Sequence, residues 1–216
     1  MSSRIPYNYI CIEGNIGSGK TSLVEKLCAD IGGRPLLEQF ENNPFLPLFY
    51  QNPERYAFTV ELFFMTERFK QLQDIDATPD LFTEYLISDF SFIKTQLFAR
   101  KNLQEEEYRL FQMLFSVLNN QFTKPDIMVY LHRDIEFLLR NIADRDRAYE
   151  KDLKPEYLKK IQDSYFEYLR NITSFPVLIL DIKDLDFLRN EASYEAIKFL
   201  ISKSYTPGVH RISVNV

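Results

Sequence analysis

Short apolar segments alternate along the chain with longer segments in which apolar residues recur at helical spacing. The short segments predict buried strands over residues 9–13, 34–38, 81–87, 126–131 and 176–181. The longer segments predict helices near residues 23–31, 54–72, 105–122, 134–142, 155–171 and 192–204. Apolar strands that alternate with helices are typical of a parallel sheet covered on both faces. The pattern therefore predicts an α/β fold with a five-stranded parallel sheet and helices on both faces.

No linker, repeat or low-complexity segment divides the sequence, so we expect a single domain over residues 1–216. The segment Thr206–Val216 has no clear pattern and is interpreted as a flexible tail or an arm. Open parallel sheets bind ligands at the carboxyl ends of their strands. That rule selects residues 14–21, Glu38, residues 84–89 and the segment after Leu131 as candidate site regions.

The first predicted strand and the first predicted helix are joined by Gly14-Asn15-Ile16-Gly17-Ser18-Gly19-Lys20-Thr21. This segment fills every fixed position of the phosphate-binding pattern G-x-x-x-x-G-K-[ST], in the strand–loop–helix context that the pattern requires. Glycines allow the backbone N–H groups to converge on phosphate oxygens, and the helix N-terminus adds partial positive charge. We expect Lys20 to contact the β- and γ-phosphates and Thr21 to be a ligand of Mg²⁺.

The bulk composition limits the possible classes of protein. The formal net charge of −5 argues against a general nucleic-acid-binding protein, which usually presents a basic face. No run of 18 apolar residues indicates a membrane span, and residues 1–4 lack the apolar segment of a signal peptide. Cys11 and Cys28 are expected to be buried thiols in a reducing compartment, with a disulfide as the alternative. The cytoplasm is the expected location.

A phosphate-binding loop does not by itself separate GTPases, ATP-driven machines and small-molecule kinases. The Asn-Lys-x-Asp motif by which GTPases read guanine does not occur in the sequence. The fourth predicted strand ends in Leu131-His132-Arg133-Asp134, without the acid that directly follows this strand in many ATP-driven machines. A kinase is therefore favoured.

Residues 140–147 contain three arginines, Arg140, Arg145 and Arg147. Such a cluster is compatible with a solvated helix face. Beside a phosphate-binding loop it predicts a lid over about residues 140–152, whose guanidinium groups neutralise charge on a transferred phosphoryl group. A lid also suits a kinase because it keeps water away from the nucleotide.

The sequence resembles the deoxyribonucleoside kinases, a family with the P-loop kinase fold, and is most similar to the bacterial purine-preferring members. The family pattern Glu-Gly-Asn-Ile-Gly-Ser-Gly-Lys-Thr occurs here as residues 13–21, and the catalytic glutamate that ends the second strand matches Glu38. The lid arginines match Arg145 and Arg147, and the glutamate beyond them matches Glu150. The segment Tyr-x-x-Pro-Glu-Arg-aromatic matches Tyr50, Pro53, Glu54, Arg55 and Tyr56.

This resemblance implies ATP-dependent phosphorylation of a deoxynucleoside 5′-hydroxyl, for nucleotide salvage. Glu38 would accept the hydroxyl proton as the oxygen attacks the γ-phosphate. Tyr50 and Glu150 would hold the sugar 3′-hydroxyl, while Lys20, Arg145 and Arg147 would stabilise phosphate charge. A homodimer formed through a helix bundle is also implied, and the aromatic-rich helices near residues 54–72 and 105–122 carry enough apolar surface for it. A thick core would explain the same surface.

Besides Gln39, which stands where the family usually has a proline, two departures from the family pattern concern the substrate site. The glutamine that reads the base edge is replaced by Glu61, and Arg68 and Asp89 match a pair that flanks the base. An ionised Glu61 only accepts hydrogen bonds, which suits the two adjacent donors of guanine; adenine or cytosine would use one donor unless Glu61 were protonated. We therefore predict a purine substrate, with deoxyguanosine slightly ahead of deoxyadenosine.

The second departure concerns an acidic-Arg-Ser triplet at the end of the third strand, whose acid helps to hold Mg²⁺ in the family. The nearest residues here are Thr83-Glu84-Tyr85, which include no arginine. Glu84 is the predicted metal ligand, and Arg140 or Arg55 is the predicted substitute for the arginine.

Two other functions remain to be compared with the kinase prediction. A nucleoside monophosphate kinase, such as a thymidylate kinase, would need positive charge facing the acceptor phosphate, whereas Glu38 and Glu61 are acidic. A regulatory nucleotide-binding protein with little turnover would have no need of the lid arginines.

Overall fold

The computed structural model describes residues 4–39, 43–77, 83–119, 122–147, 150 and 153–215. Six strands form one sheet in the order β2-β3-β1-β4-β5-β6, and all neighbouring strands are parallel. The strands are β1 (Tyr9–Gly14), β2 (Arg34–Leu36), β3 (Leu86–Ser88), β4 (Ile127–His132), β5 (Pro176–Asp181) and β6 (Gly208–Ser213).

Helices connect the strands along the chain. They are α1 (Lys20–Ile31), α2 (Leu46–Gln51), α3 (Pro53–Ala77), α4 (Ile93–Asn102), α5 (Glu105–Asn119), α6 (Ile135–Arg145), α7 (Pro155–Leu169) and α8 (Glu191–Ile201). None of the helices in the described ranges is both long enough and apolar enough to cross a membrane.

The central strands are buried on both faces because helices cover each side of the sheet. Along β4, Val129 and Leu131 belong to a core shared with α1 and α8. The alternate residues Met128 and Tyr130 belong to a second core shared with α4 and α7. The two-residue period of a strand thus distributes one apolar run between two cores. The predicted α/β fold with a helix-covered parallel sheet is confirmed.

The predicted number of five strands was wrong, because β6 adds a sixth strand from the segment interpreted as a tail or arm. This strand lies at the edge of the sheet, and exposed residues alternate with half-buried ones along it. An edge strand with His210 and Arg211 in its middle lacks the continuous apolar run by which the other strands were recognised.

The third strand begins later than predicted. Within the described residues β3 covers only Leu86–Ser88, whereas the prediction began at Leu81, and residues 81–82 lie outside the described ranges. Leu86 pairs with Tyr9 at the start of β1, so the residues before Leu86 lie at the amino end of the sheet. This shift moves the carboxyl end of β3 to Ser88 and Asp89.

Candidate active site

The phosphate-binding loop connects β1 to α1 in the predicted way. Gly17 and Gly19 have φ angles of 78° and 91°, which favour glycine. A Cβ atom on Gly17 would lie 2.8 Å from the carbonyl oxygen of Leu138, and one on Gly19 would lie 3.0 Å from the ring of Phe187. Both glycines are therefore required by backbone conformation and by close neighbours.

Two side chains outside the sequence motif, Arg133 and Asn141, hold the loop in place. Arg133 Nε donates to the carbonyl of Ser18 at 3.1 Å, and Asn141 Nδ2 donates to the carbonyl of Gly17 at 2.7 Å. The other two arms of Arg133 donate to the carbonyls of Lys183 and Leu185. Arg133 is only 4% exposed, and this burial lowers its pKa to about 10. Sequence reasoning missed this arginine because nothing local distinguishes it from a surface cation.

Two adjoining cavities meet at the loop. The first has a volume of about 1080 Å³ and extends from Lys20 past Arg133 and Arg140 to residues 186–189. The second extends past Tyr50 and Glu61 to Phe98 and Tyr157. Both are lined by Gly17, Lys20, Thr21, Glu38, Asp89, Arg145 and Arg147. The shared residues mark the point at which ligands in the two cavities would touch.

Glu38 lies at this junction, in the segment after β2. Its Oε1 accepts a 2.7 Å hydrogen bond from Nε of Arg68 and its Oε2 pairs with Lys94, while both cations are buried. Burial by itself would raise the pKa of Glu38, but Arg68 and Lys94 together outweigh it and lower the pKa to about 2. Glu38 is therefore a fixed carboxylate at neutral pH.

Lys94 was not predicted as a site residue. It lies on α4, a helix that the sequence pattern did not indicate, because Lys94 and Thr95 occupy buried positions that would usually be apolar. The predicted substitutes for the missing arginine lie elsewhere. Arg140 lines the first cavity and stacks on Phe137, and Arg55 lies exposed over Tyr56.

Asp89 lies directly beyond the carboxyl end of β3. Its Oδ2 accepts a hydrogen bond from the hydroxyl of Thr21, and its Oδ1 accepts one from the backbone N–H of Glu38 at 2.7 Å. Arg68, the other residue predicted to flank the base, donates to Glu38 and to Thr95. Asp89 lines both cavities, and its contact with Thr21 places its carboxylate beside the phosphate loop.

The prediction of Glu84 as a metal ligand was wrong. Glu84 precedes β3, at the amino end of the sheet, where it is exposed and pairs with Arg4. Thr21 and Asp89 are the oxygen donors that lie together at the carboxyl end. A hydroxyl and a carboxylate are suitable ligands for Mg²⁺, which usually keeps several waters and binds only one or two protein carboxylates. The donor set therefore fits this ion.

Glu61 projects from α3 into the second cavity and is 2% exposed. Its Oε1 accepts a 2.6 Å hydrogen bond from Asn102 Nδ2, and Asn102 Oδ1 in turn accepts one from the Tyr157 hydroxyl at 3.3 Å. Oε2 is buried and has no hydrogen-bond partner among the described residues. Sequence reasoning did not identify Asn102 or Tyr157, because the chain of hydrogen bonds from Tyr157 through Asn102 to Glu61 joins three separate helices.

The lid arginines lie at the end of α6. Arg145 pairs with Glu150, and Arg147 Nη1 lies 3.6 Å from Glu150 Oε1. Glu150 is 5% exposed and lines the second cavity together with Tyr50. Of the predicted lid, residues 148–149 and 151–152 lie outside the described ranges. Apart from the phosphate loop itself, every predicted site residue except Glu84 lines one of the two cavities.

Known proteins that are similar to this chain are deoxynucleoside kinases. The family model described as "Deoxynucleoside kinase" matches residues 10–205. A deoxyguanosine kinase of Bacillus subtilis is 31% identical over 196 residues, which cover 88% of this chain and 93% of that protein. A deoxyadenosine/deoxycytidine kinase of the same organism is also 31% identical, with 89% and 91% covered.

The fold has a match among solved structures. The structure of deoxyadenosine kinase from M. mycoides with bound dATP superimposes with a TM-score of 0.76 at 21% identity. The match covers 91% of this chain and 100% of that one. At this level of identity the likeness supports the P-loop kinase fold.

Proposed function

The chain belongs to the deoxynucleoside kinase family, and we propose that it transfers the γ-phosphoryl group of ATP to the 5′-hydroxyl of a purine deoxynucleoside, with deoxyguanosine slightly ahead of deoxyadenosine. The product would be a deoxynucleoside monophosphate formed for nucleotide salvage. Phosphorylation of a deoxynucleoside is the activity of the family.

The position of Glu38 between the two cavities carries this proposal. On one side lie the phosphate-binding loop and the arginine-lined cavity, which suit ATP. On the other side lies a cavity that contains the acids Glu61 and Glu150 beside aromatic rings, which suits a neutral nucleoside. The cations Arg68 and Lys94 pair with Glu38, and Arg145 pairs with Glu150, so these charges already have carboxylate partners. This arrangement favours a nucleoside over a nucleoside monophosphate as the acceptor.

The reaction needs little covalent chemistry from the protein. Glu38 accepts the proton of the 5′-hydroxyl while the hydroxyl oxygen forms a bond to the γ-phosphorus and the bond to ADP breaks. Because the transition state is loose, orientation of the hydroxyl matters more than strong basicity, and a carboxylate held by Arg68 and Lys94 can supply it. Lys20, Arg145 and Arg147 would stabilise charge on the phosphate oxygens.

Thr21 and Asp89 would hold Mg²⁺ at the phosphate side of the junction, in place of the predicted Glu84. When bound, the ion would neutralise charge on the β- and γ-phosphates. Tyr50 and Glu150 would hold the sugar 3′-hydroxyl, one as donor and one as acceptor, since both line the second cavity. This cavity, which would hold the phosphoryl acceptor, is called the acceptor cavity. Glu61, deeper in the same cavity, would contact the edge of the base.

A rate panel with ATP and the four common deoxynucleosides tests this function. We expect the largest kcat/KM for deoxyguanosine, the next for deoxyadenosine, and values at least about tenfold lower for thymidine, which lacks the paired donors that suit Glu61. Production of ADP should depend on the added nucleoside. A larger kcat/KM for thymidine or deoxycytidine would contradict the purine preference, and ADP production without regard to the nucleoside would contradict the kinase assignment.

One face of α5 supports a homodimer. Leu110, Met113, Leu114 and Val117 recur there at helical spacing and are between 40% and 67% exposed in the single chain. Such an apolar stripe on a described helix is typical of a helix–helix interface. We propose that two copies pair through this face.

Replacing Val117 by lysine should therefore convert a dimer to a monomer at micromolar concentration, because the change places a charge in the apolar stripe. Sedimentation velocity measures the result. Phe199→Lys is the matched control, since Phe199 is 59% exposed on α8 and is expected to leave the dimer intact. A wild-type protein that sediments only as a monomer would contradict the proposal.

The two cysteines are free and buried, Cys11 in the sheet and Cys28 on α1. They therefore do not form the disulfide that was the alternative prediction. Unpaired thiols are usual in reducing compartments, which supports the proposed cytoplasmic location.

A further inference from the structure

We propose that Glu61 selects the base by its own protonation state: its carboxylate form binds guanine, and its carboxylic acid form binds adenine or cytosine. This inference rests on the proposed function, because it assigns the acceptor cavity to the nucleoside. It goes further in making one residue read two kinds of base.

The two oxygens of Glu61 are not equivalent. Oε1 is fixed by the amide of Asn102, whose own carbonyl is held by Tyr157. Oε2 is buried and has no partner in the described part of the chain. A proton on this carboxyl group would therefore reside on Oε2, since Oε1 already accepts a hydrogen bond and faces a donor that cannot accept one. The oxygen available to a ligand is the one that can change from acceptor to donor.

The hydrogen-bonding edges of the bases match these two states. Guanine presents N1–H and the N2 amine, two donors that an ionised carboxylate accepts with both oxygens. Adenine presents N1 as an acceptor beside the N6 amine, and cytosine presents N3 beside the N4 amine. A protonated Glu61 would donate from Oε2 to the ring nitrogen and accept the amine on the second lone pair of Oε1. Each wrong combination places two donors or two acceptors in contact at the buried Glu61 carboxyl group, which is costly.

The surroundings of Glu61 place the change between its two protonation states near neutral pH. Burial raises the pKa of Glu61 to about 7, although Asn102 and the nearby charge of Arg68 oppose the increase. Titratable and charged groups face the cavity from every neighbouring element: Arg68, Glu38, Lys94, Tyr157, Tyr50, Lys20, Asp89, Arg145, Arg147 and Glu150. Of these, Glu38 has a pKa of about 2 and the pKa of Tyr157 is raised by burial, so neither changes its charge near neutrality.

The test is the ratio of kcat/KM for deoxyguanosine to kcat/KM for deoxyadenosine, measured with wild-type protein and saturating ATP and Mg²⁺. If each base binds only one form of Glu61, the ratio equals a constant times the ratio of ionised to protonated enzyme. It should then rise about tenfold for each pH unit, and about a hundredfold between about pH 6 and pH 8. Any other group whose ionisation changes kcat/KM for both nucleosides by the same factor has no effect on the ratio.

Glu61→Gln should remove this dependence. Its amide oxygen can keep the contact with Asn102 while its amide N–H groups occupy the position of Oε2, which imitates the protonated acid. We expect a ratio that does not change with pH. The value of kcat/KM for deoxyadenosine should stay within about threefold of the wild-type value at pH 6, and kcat/KM for deoxyguanosine should be about a hundredfold lower than in the wild type. Glu67→Gln, on the same helix, is the matched control and should keep the wild-type pH dependence.

Different failures have different meanings. A wild-type ratio that changes less than about threefold between about pH 6 and pH 8, with both nucleosides phosphorylated, overturns the inference and leaves the proposed function intact. A pH-dependent ratio in Glu61→Gln also overturns it, because another group would be responsible. Absence of phosphorylation of every deoxynucleoside overturns the proposed function, and the inference with it.

Discussion

Replacing Glu38 by glutamine is expected to lower kcat for deoxynucleoside phosphorylation by about a thousandfold. Glutamine has nearly the same shape as glutamate, so the variant should still fill the junction between the two cavities. It cannot accept the hydroxyl proton, and its amide N–H₂ group would face Arg68 or Lys94, where Glu38 now presents an oxygen to each. The largest change should therefore be in kcat rather than in the binding of either substrate.

The dissociation constant of ATP separates loss of chemistry from loss of structure. It should change by less than about threefold in Glu38→Gln, because the phosphate loop does not depend on the charge of Glu38 for its hydrogen bonds. Glu191→Gln is the control, since Glu191 is an exposed partner of Lys26 and lines neither cavity. A Glu38→Gln variant with kcat within about tenfold of wild type would remove Glu38 from the role of base.

The parts of the site that could be predicted from sequence are those specified by local chemistry. Gly14 to Thr21 form a continuous motif, and its glycines are fixed by backbone angles that few other residues adopt. The apolar spacing predicted a helix near residues 54–72, and α3 begins at Pro53. The position of Glu38 followed from the rule that ligands bind beyond the carboxyl ends of parallel strands.

The parts that could not be predicted depend on register or on contacts between distant elements. The third strand contains only three residues in the described ranges, and a shift of its boundary exchanged Glu84 for Asp89 at the carboxyl end of the sheet. No local pattern distinguishes the two acids, because each follows or precedes a short apolar run. The pairing with β1 decides which of them meets Thr21.

Helices with polar residues at buried positions are the other elements that could not be predicted from sequence. α4 presents Lys94 and Thr95 to the site, so its apolar periodicity is interrupted where its function lies. Sequence reasoning recognised that a cation was missing near the third strand and looked for a substitute among the arginines of the chain. The structure instead places Lys94, in the first turn of the helix that follows the third strand, in contact with Glu38.

Lys94 is the residue that we propose as the substitute for the absent arginine. Its ammonium group is buried, pairs with Glu38 and lines the acceptor cavity together with Thr21 and Asp89. It also acts on Lys20: burial lowers the pKa of Lys20 to about 8, and the nearby positive charge of Lys94 adds to that effect. Two ammonium groups at one junction repel each other, and a bound anionic phosphoryl group would relieve that repulsion. Lys94 would thus position Glu38 and favour a bound phosphoryl group.

Replacing Lys94 by methionine should therefore lower kcat about a hundredfold for every deoxynucleoside, because Glu38 would be held by Arg68 alone and the phosphoryl group would lose a nearby charge. KM for the nucleoside should change less than kcat. A purely structural role would not produce this difference between the two constants. Lys94→Arg should recover most of the activity, since the guanidinium group restores the charge. Lys70→Met, at an exposed lysine of α3 paired with Glu67, is the control. If Lys94→Met keeps kcat within about threefold of wild type, Arg68 alone is sufficient to position Glu38, and the family arginine has no replacement in this protein.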